Sequence, residues 1–403
     1  MKRAAIGAVP AAPNCVGAWL LNRLLRRLQC GGLTVVLPAG QSVTHHTQTP
    51  GPFGVLLLHR WRTLLRLVVK GDIGFAEAYM DEDWSSPDLT ALIELAACNQ
   101  ARIPGADGGA WLMRLLHRWE HRARANTPAG SRRNVQQHYD LGNAFYASWL
   151  DAGMSYSSAM FRDASQSLEE AQAAKQDRVL ELLDAQQGHA VLEIGCGWGG
   201  LAERLAAGGC HVTAVTLSPA QHAFTQARLA RAGLADRVDL RLQDYRSIKG
   251  TYDRIVSIEM MEAVGEAWWP TWFELLRTCL RPGGVIVFQT ITIADTRFEA
   301  YQRGTDFIQR YIFPGGMLPS PAALRSQIAQ AGLSLDAMEA FGASYARTLS
   351  LWQGRFQAAW PDIADSGFST RFKRMWEYYL SYCEAGFRAN TVDVGLWRLG
   401  HAC

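Results

Sequence analysis

Between residues 190 and 292, short apolar runs alternate with helical patterns: AVLEI, LAERLAA, HVTAVTL, PAQHAFTQARLARAG, RVDLRLQ, DRIVSI and GGVIVFQTITI. Parallel strands can be joined only by crossover connections. This alternation therefore predicts an α/β fold with a doubly wound, Rossmann-like parallel sheet. In such sheets ligands bind beyond the carboxyl ends of the strands. The turn in VLEIGCGWGG, Thr216, Asp244 and Glu262 should converge there.

The turn itself places Gly195, Gly197, Gly199 and Gly200 directly after a strand and before a helix. Taken alone, the spacing fits a dinucleotide fingerprint, in which small residues let the backbone turn tightly and approach a ligand. A nicotinamide site, however, wants an acid about 20 residues further on to hold a ribose. Here the second strand ends in Thr216, Leu217 and Ser218. Glu193 just inside the first strand's end, and the Pro-Gly-Gly turn of LRPGGVIVFQT before the fifth strand, favour S-adenosylmethionine instead.

After the fourth strand the chain reads SIEMMEAVGEAWWP, with Glu259 and Glu262 among methionines. A carboxylate in apolar surroundings is desolvated, and a desolvated acid with a raised pKa is either chemically useful or a burden on stability. The plainer alternative for Glu262 is a solvent-facing first-turn residue favoured by a helix dipole.

The chain has 403 residues, and Lys+Arg 40 against Asp+Glu 37 leaves little net charge, so local patches matter more than the total. Residues 1–15 read as a disordered leader, since Pro10 and Pro13 interrupt a short apolar run. Residues 16–100 are expected to form a smaller N-terminal α+β domain that associates with lipid. It includes an amphipathic basic helix over 17–28 and a helix starting at Pro87, with Ser85 or Ser86 as its cap. Residues 101–134, with Arg114, Arg118, Arg122 and Arg124 interleaved with Trp111, Leu115 and Trp119, read as a basic helix and linker. The catalytic domain should span 135–403. The 8 cysteines show no metal-ligand spacing, which points to reduced thiols and no metal. No apolar stretch approaches the roughly 18 residues a spanning helix needs.

Motifs from about 134 onward, NVQQHYDLGNAFYASWLDAGMSYSSAMF, VLEIGCGWGG, VTAVTLSPAQ, LQDYR, SIEMMEAVG, FQTITI and SYARTLSLW, follow in an order that resembles the cyclopropane-fatty-acyl-phospholipid synthases and mycolic acid methyltransferases. The resemblance implies a class I methyltransferase fold. It also implies transfer of a methyl group from S-adenosylmethionine to the cis double bond of a phospholipid acyl chain, with proton loss closing a three-membered ring. It assigns cofactor contacts to Tyr156, Ser157, Gly195, Gly197, Thr216, Leu217, Gln221, Gln243 and Asp244, beside Glu193. It further implies a bicarbonate ion held by Ser158, Glu262, Gln289, Ile291 and Tyr345. Two residues depart from the family pattern, Ser158 where synthases usually carry cysteine and Gln289 where they carry histidine. A backbone amide at 158 is indifferent to the side chain, but glutamine cannot become cationic, which weakens the anion site. Glu259 stands where synthases often have glycine and is expected to give outer support at most.

An alkene is a poor nucleophile, so the chemistry needs alignment and exclusion of water, and then a fixed acceptor for the proton of the resulting carbocation. Glu262 should orient that acceptor, with Tyr345 as its partner. Tyr156, Trp198 and Tyr345 could face a cationic centre, although core packing is the commoner use of Trp198. His138, Tyr139 and Asp140 match a motif near the family's lipid entrance. Drawing acyl carbon out of a bilayer costs about 0.8 kcal/mol per methylene, on the order of 6 kcal/mol for half a chain, so an apolar tunnel is required. Segments 298–318 and 343–382 are its candidate walls. The expected partners are an unsaturated phospholipid at the inner, cytoplasmic face of a membrane and a second copy in a homodimer. Nucleic acid is not expected, for want of a strongly basic domain. Methylation of a small amine, or a non-catalytic partner subunit, are the alternatives.

Overall fold

The computed structural model describes residues 15–99 and 141–402. The basic helix and linker over 101–134, and His138, Tyr139 and Asp140, lie outside the described residues. Two compact units divide the chain. Among the described residues one takes 15–99, 299–312 and 360–391, and the other 141–298, 313–359 and 392–402.

The first unit is built on a four-stranded sheet in the order β2-β1-β3-β4, from β1 (Cys30–Val36), β2 (Ser42–His46), β3 (Thr49–Leu58) and β4 (Trp84–Ser85). Val35, Val43, Leu56 and Leu58 turn to its buried face. The helix Thr370–Arg388, distant in sequence, packs in this unit against the helices Arg62–Met80 and Leu89–Asn99. The third helix begins two residues later than its Pro87 signal suggests. Asp88 caps it, its Oδ1 accepting the Ala91 N–H at 2.8 Å, while the Ser86 hydroxyl donates to the Asp88 carbonyl. The amphipathic first helix runs over Cys15–Leu25, burying Leu21 and Leu25 and leaving Trp19 exposed.

The second unit carries a seven-stranded sheet, β10-β11-β9-β8-β5-β6-β7, from β5 (Ala190–Ile194), β6 (His211–Thr216), β7 (Val238–Leu242), β8 (Tyr252–Ile258), β9 (Leu280–Ile293), β10 (Leu333–Ala340) and β11 (Val392–His401). The alternating runs form the five parallel strands, as expected of a class I methyltransferase sheet. The sheet is not parallel throughout: β11 pairs antiparallel with β9, and β10 with β11. The order reverses at β5, which lies between β6 and β8, so the glycine turn after β5 stands at the switch point where ligands bind. Val191, Val212, Ala214, Val256, Val287 and Leu396 fill the core beneath it. Among the described residues no helix is long and apolar enough to cross a membrane, and no group of His, Cys, Asp or Glu is placed to hold a metal ion.

Candidate active site

The glycine turn adopts backbone angles that few other residues accept. Gly195, Gly197 and Gly199 all have positive φ, at 83°, 54° and 81°. At Gly199 a side chain would also collide, since a Cβ there would stand 2.5 Å from Thr225 Cγ2. Nothing lies within 4 Å of where a Cβ on Gly197 would be, so the backbone is open to a ligand at that point. At the end of β6 the Thr216 hydroxyl donates to Gln221 Oε1 at 2.9 Å, and the Thr216 carbonyl accepts the Gln243 N–H at 3.0 Å. Thr216, Leu217, Gln221 and Gln243 thus gather beside the turn. Asp244 is there too, but its carboxylate is engaged by Arg246 at 2.7 Å and 2.9 Å.

Glu193 lies one residue inside the end of β5, buried, with Oε2 free of any hydrogen-bond partner. Burial pushes its carboxyl up to about 8, against the pull of the Lys175 ammonium. An orphaned buried acceptor beside an open glycine backbone suits a cationic ligand. S-adenosylmethionine, with its ammonium and sulfonium groups, meets that requirement, and Glu193, Gly195, Gly197, Thr216 and Gln221 would hold it.

The two acids after β8 occupy different environments. Glu259 Oε1 accepts the Ser158 backbone N–H at 2.8 Å and the Gln289 side-chain amide at 2.6 Å, and its Oε2 accepts the Tyr345 hydroxyl at 2.6 Å. Glu262 Oε1 accepts the Ile291 N–H at 2.6 Å and the Thr290 hydroxyl at 3.1 Å, while its Oε2 is buried without a hydrogen-bond partner. The residues expected to share one anion are therefore divided between two carboxylates of the chain. Tyr345 partners Glu259, not Glu262. Ser158 serves through its backbone, its own hydroxyl donating to the Ala159 carbonyl at 2.8 Å.

Burial raises both carboxyls. For Glu259, the hydrogen bonds from Tyr345 and Ser158, the Lys175 charge and the Gln289 amide oppose the rise. For Glu262, the charge of Glu259 adds to burial and brings it to about 8. Two buried carboxyls this close do not readily ionise together. The donors favour Glu259 as the anion and Glu262 as the neutral acid.

Lys175 escaped the sequence reading. It lies on the buried face of the helix Leu168–Leu183 with Leu168, Ala171, Gln172 and Val179, and its Nζ donates to Ser157 Oγ at 2.7 Å. Burial lowers it to about 8 despite the charges of Glu259, Asp151 and Glu193. A lysine within the apolar stripe of that helix was the available signal. Gln172 donates to the Ser157 carbonyl at 2.8 Å, so both residues fix the YSSA segment. Tyr156, in the same segment, has its ring 5.3 Å from Tyr146, 5.7 Å from Trp149 and 5.5 Å from Trp352. The Tyr345 ring in turn meets Trp352 edge-on at 6.1 Å, which joins this aromatic wall to the Glu259 carboxylate. Trp198 is buried and donates through Nε1 to Asn143 Oδ1 at 2.8 Å, a packing role.

Residues 127–397 match the family model described as mycolic acid cyclopropane synthetase. The chain belongs to that family. It is 39% identical to the tuberculostearic acid methyltransferase UfaA1 of Mycobacterium tuberculosis, over 98% of this chain and 94% of that protein. It is 37% identical to the cyclopropane-fatty-acyl-phospholipid synthase of Escherichia coli K12, over 83% and 84%. The solved structure of the cyclopropane synthase CmaA1 complexed with SAH and CTAB superposes with a TM-score of 0.62 at 30% identity, over 66% of this chain and 97% of that one. This family member is an S-adenosylmethionine-dependent methyltransferase.

Proposed function

We propose that the enzyme modifies the cis double bond of an unsaturated phospholipid acyl chain, leaving a cyclopropane or a methyl branch. The observation that carries this reading is the pair Glu259 and Glu262, of which Glu259 is joined through Tyr345 to an aromatic wall beside the glycine turn. Soluble polar acceptors have no need of such surroundings, whereas a transient carbocation needs dry walls and a nearby proton acceptor. When bound, S-adenosylmethionine supplies an electrophilic methyl group. Tyr156, Trp149 and Trp352 exclude water and offer ring faces to developing positive charge. Ser158, Gln289 and Tyr345 hold an anion in position to take the proton.

The names of the relatives support both products, one being a methyltransferase and the other a cyclopropane synthase. Incubating the enzyme with methyl-labelled S-adenosylmethionine and vesicles of unsaturated phospholipid, then analysing the acyl chains by mass spectrometry, tests the reading. Gain of one CH2 with loss of the double bond indicates a ring, and gain with unsaturation retained indicates a branch. No labelled acyl chain at all would defeat the lipid assignment.

Attachment to the cytoplasmic surface of a membrane is part of the same proposal. In the first unit Trp19 is 57% and Leu65 57% exposed, with Val68 and Val69 also exposed on the face of Leu65. The Arg23 guanidinium lies 5.3 Å from the Trp19 ring centroid. Apolar tips beside arginines suit an anionic lipid surface. Flotation with anionic vesicles should carry the protein upward, and Trp19→Ser with Leu65→Ser should abolish this. Equal flotation with neutral vesicles would remove the electrostatic part.

A further inference from the structure

Three of the groups that the family resemblance assigns to a bound bicarbonate are already occupied by the chain itself. The Ser158 N–H, the Gln289 amide and the Tyr345 hydroxyl all end on the carboxylate of Glu259, at 2.8 Å, 2.6 Å and 2.6 Å. Bicarbonate and a glutamate side chain present the same planar O–C–O head to such donors, and both cannot occupy one set. The fourth donor, the Ile291 N–H, is held by Glu262.

The backbone carries a second, independent sign. Glu259 has φ 49°, a conformation that glycine adopts freely and a glutamate adopts at a cost. Its own N–H donates to the Gln289 carbonyl at 2.8 Å, which fixes the residue against the end of β9. A strained backbone that aims a carboxylate at three converging donors is a device for placing charge.

We propose that Glu259 is the catalytic base of this enzyme, a tethered anion that takes both the place and the task of a free bicarbonate. This rests on the acyl-chain reading above. Once the alkene has gained its methyl group, one acyl carbon is left with an empty orbital. Glu259 accepts one proton, and the C–H electron pair it leaves behind fills that orbital. If the proton comes from the new methyl group, the pair closes a ring. If it comes from the neighbouring chain carbon, the pair forms a double bond beside the branch. The carboxylate becomes a carboxylic acid and returns its proton to water after product leaves.

Two measurements test this with the full-length enzyme. Calorimetric titration with sodium bicarbonate, without any lipid, should show no uptake by the wild type and millimolar uptake by Glu259→Gly, whose backbone suits the new residue. Turnover on unsaturated phospholipid vesicles should be unchanged for the wild type in carbonate-free buffer and fall about 100-fold or more in Glu259→Gln, with S-adenosylmethionine binding retained. Added bicarbonate should restore part of the turnover of Glu259→Gly and none of that of Glu259→Gln. Bicarbonate uptake by the wild type, a loss of its turnover on carbonate removal, or near-normal turnover in Glu259→Gln overturns the proposal. A failure of the lipid assignment would appear separately, as a wild type inert toward phospholipid while the lipid-free titration still gives its expected pattern.

Discussion

Glu259 and Glu262 are three residues apart, yet their surroundings give them opposite tasks. Sequence alone singles out both as acids in an apolar setting and then favours Glu262, because the partners that decide the matter are distant. Ser158, Gln289 and Tyr345 are 101, 30 and 86 residues from Glu259. Glu262, held near 8 by burial and its neighbour's charge, is neutral below that pH. Glutamine mimics a neutral carboxylic acid, so Glu262→Gln should cost less than about tenfold in kcat, below the range of proton-transfer effects. As pH rises through about 8, Glu262 gains a negative charge and Lys175 loses its positive one, and both changes make the still-ionised Glu259 carboxylate a stronger base. Wild-type turnover should therefore rise above pH 8. In Glu262→Gln the rise should be shallower, with Lys175 supplying what remains. A pH–rate profile identical in the two enzymes would show that Glu262 does not titrate there.

At the scale of elements, the parallel strands were legible because each is a compact apolar run bounded by turn residues, and the glycine turn because its residues do what only glycine does cheaply. Gly199→Ala should destabilise the protein by about 1–3 kcal/mol, combining a positive φ with a collision at Thr225. Denaturant midpoints would measure this, and an unchanged midpoint would mean the turn relaxes. The antiparallel strands were not legible. β10 is an edge strand whose Asp336, Ala337 and Met338 are exposed in succession, so no period of two marks it. β11 is read correctly only once β9 is known to run fourteen residues, long enough to pair along Val392–Leu399. Lys175 shows a different blindness: it sits on the buried face of its helix, and no local pattern names the distant Ser157 hydroxyl that receives it.

On the scale of the molecule, the first unit is discontinuous in sequence, drawing on 299–312 and 360–391. Trp376, Tyr378, Tyr379 and Leu380 of the helix Thr370–Arg388 are buried within it. Composition and linkers suggest a boundary near 134, but no local pattern announces a helix that returns from the far end of the chain. A fragment ending at 134 lacks these side chains, and each large apolar group withheld forfeits about 1.5–3 kcal/mol of burial. It should show poor amide dispersion by NMR and no cooperative melt, whereas a sharp transition would establish that the segment folds alone. The strained glutamate after β8 has a reach beyond its pocket. An anion fastened to the polypeptide cannot be diluted or outgassed, so a cell relying on this enzyme would remodel its lipids at the same pace in stagnant, carbon-dioxide-rich surroundings as in well-aerated ones.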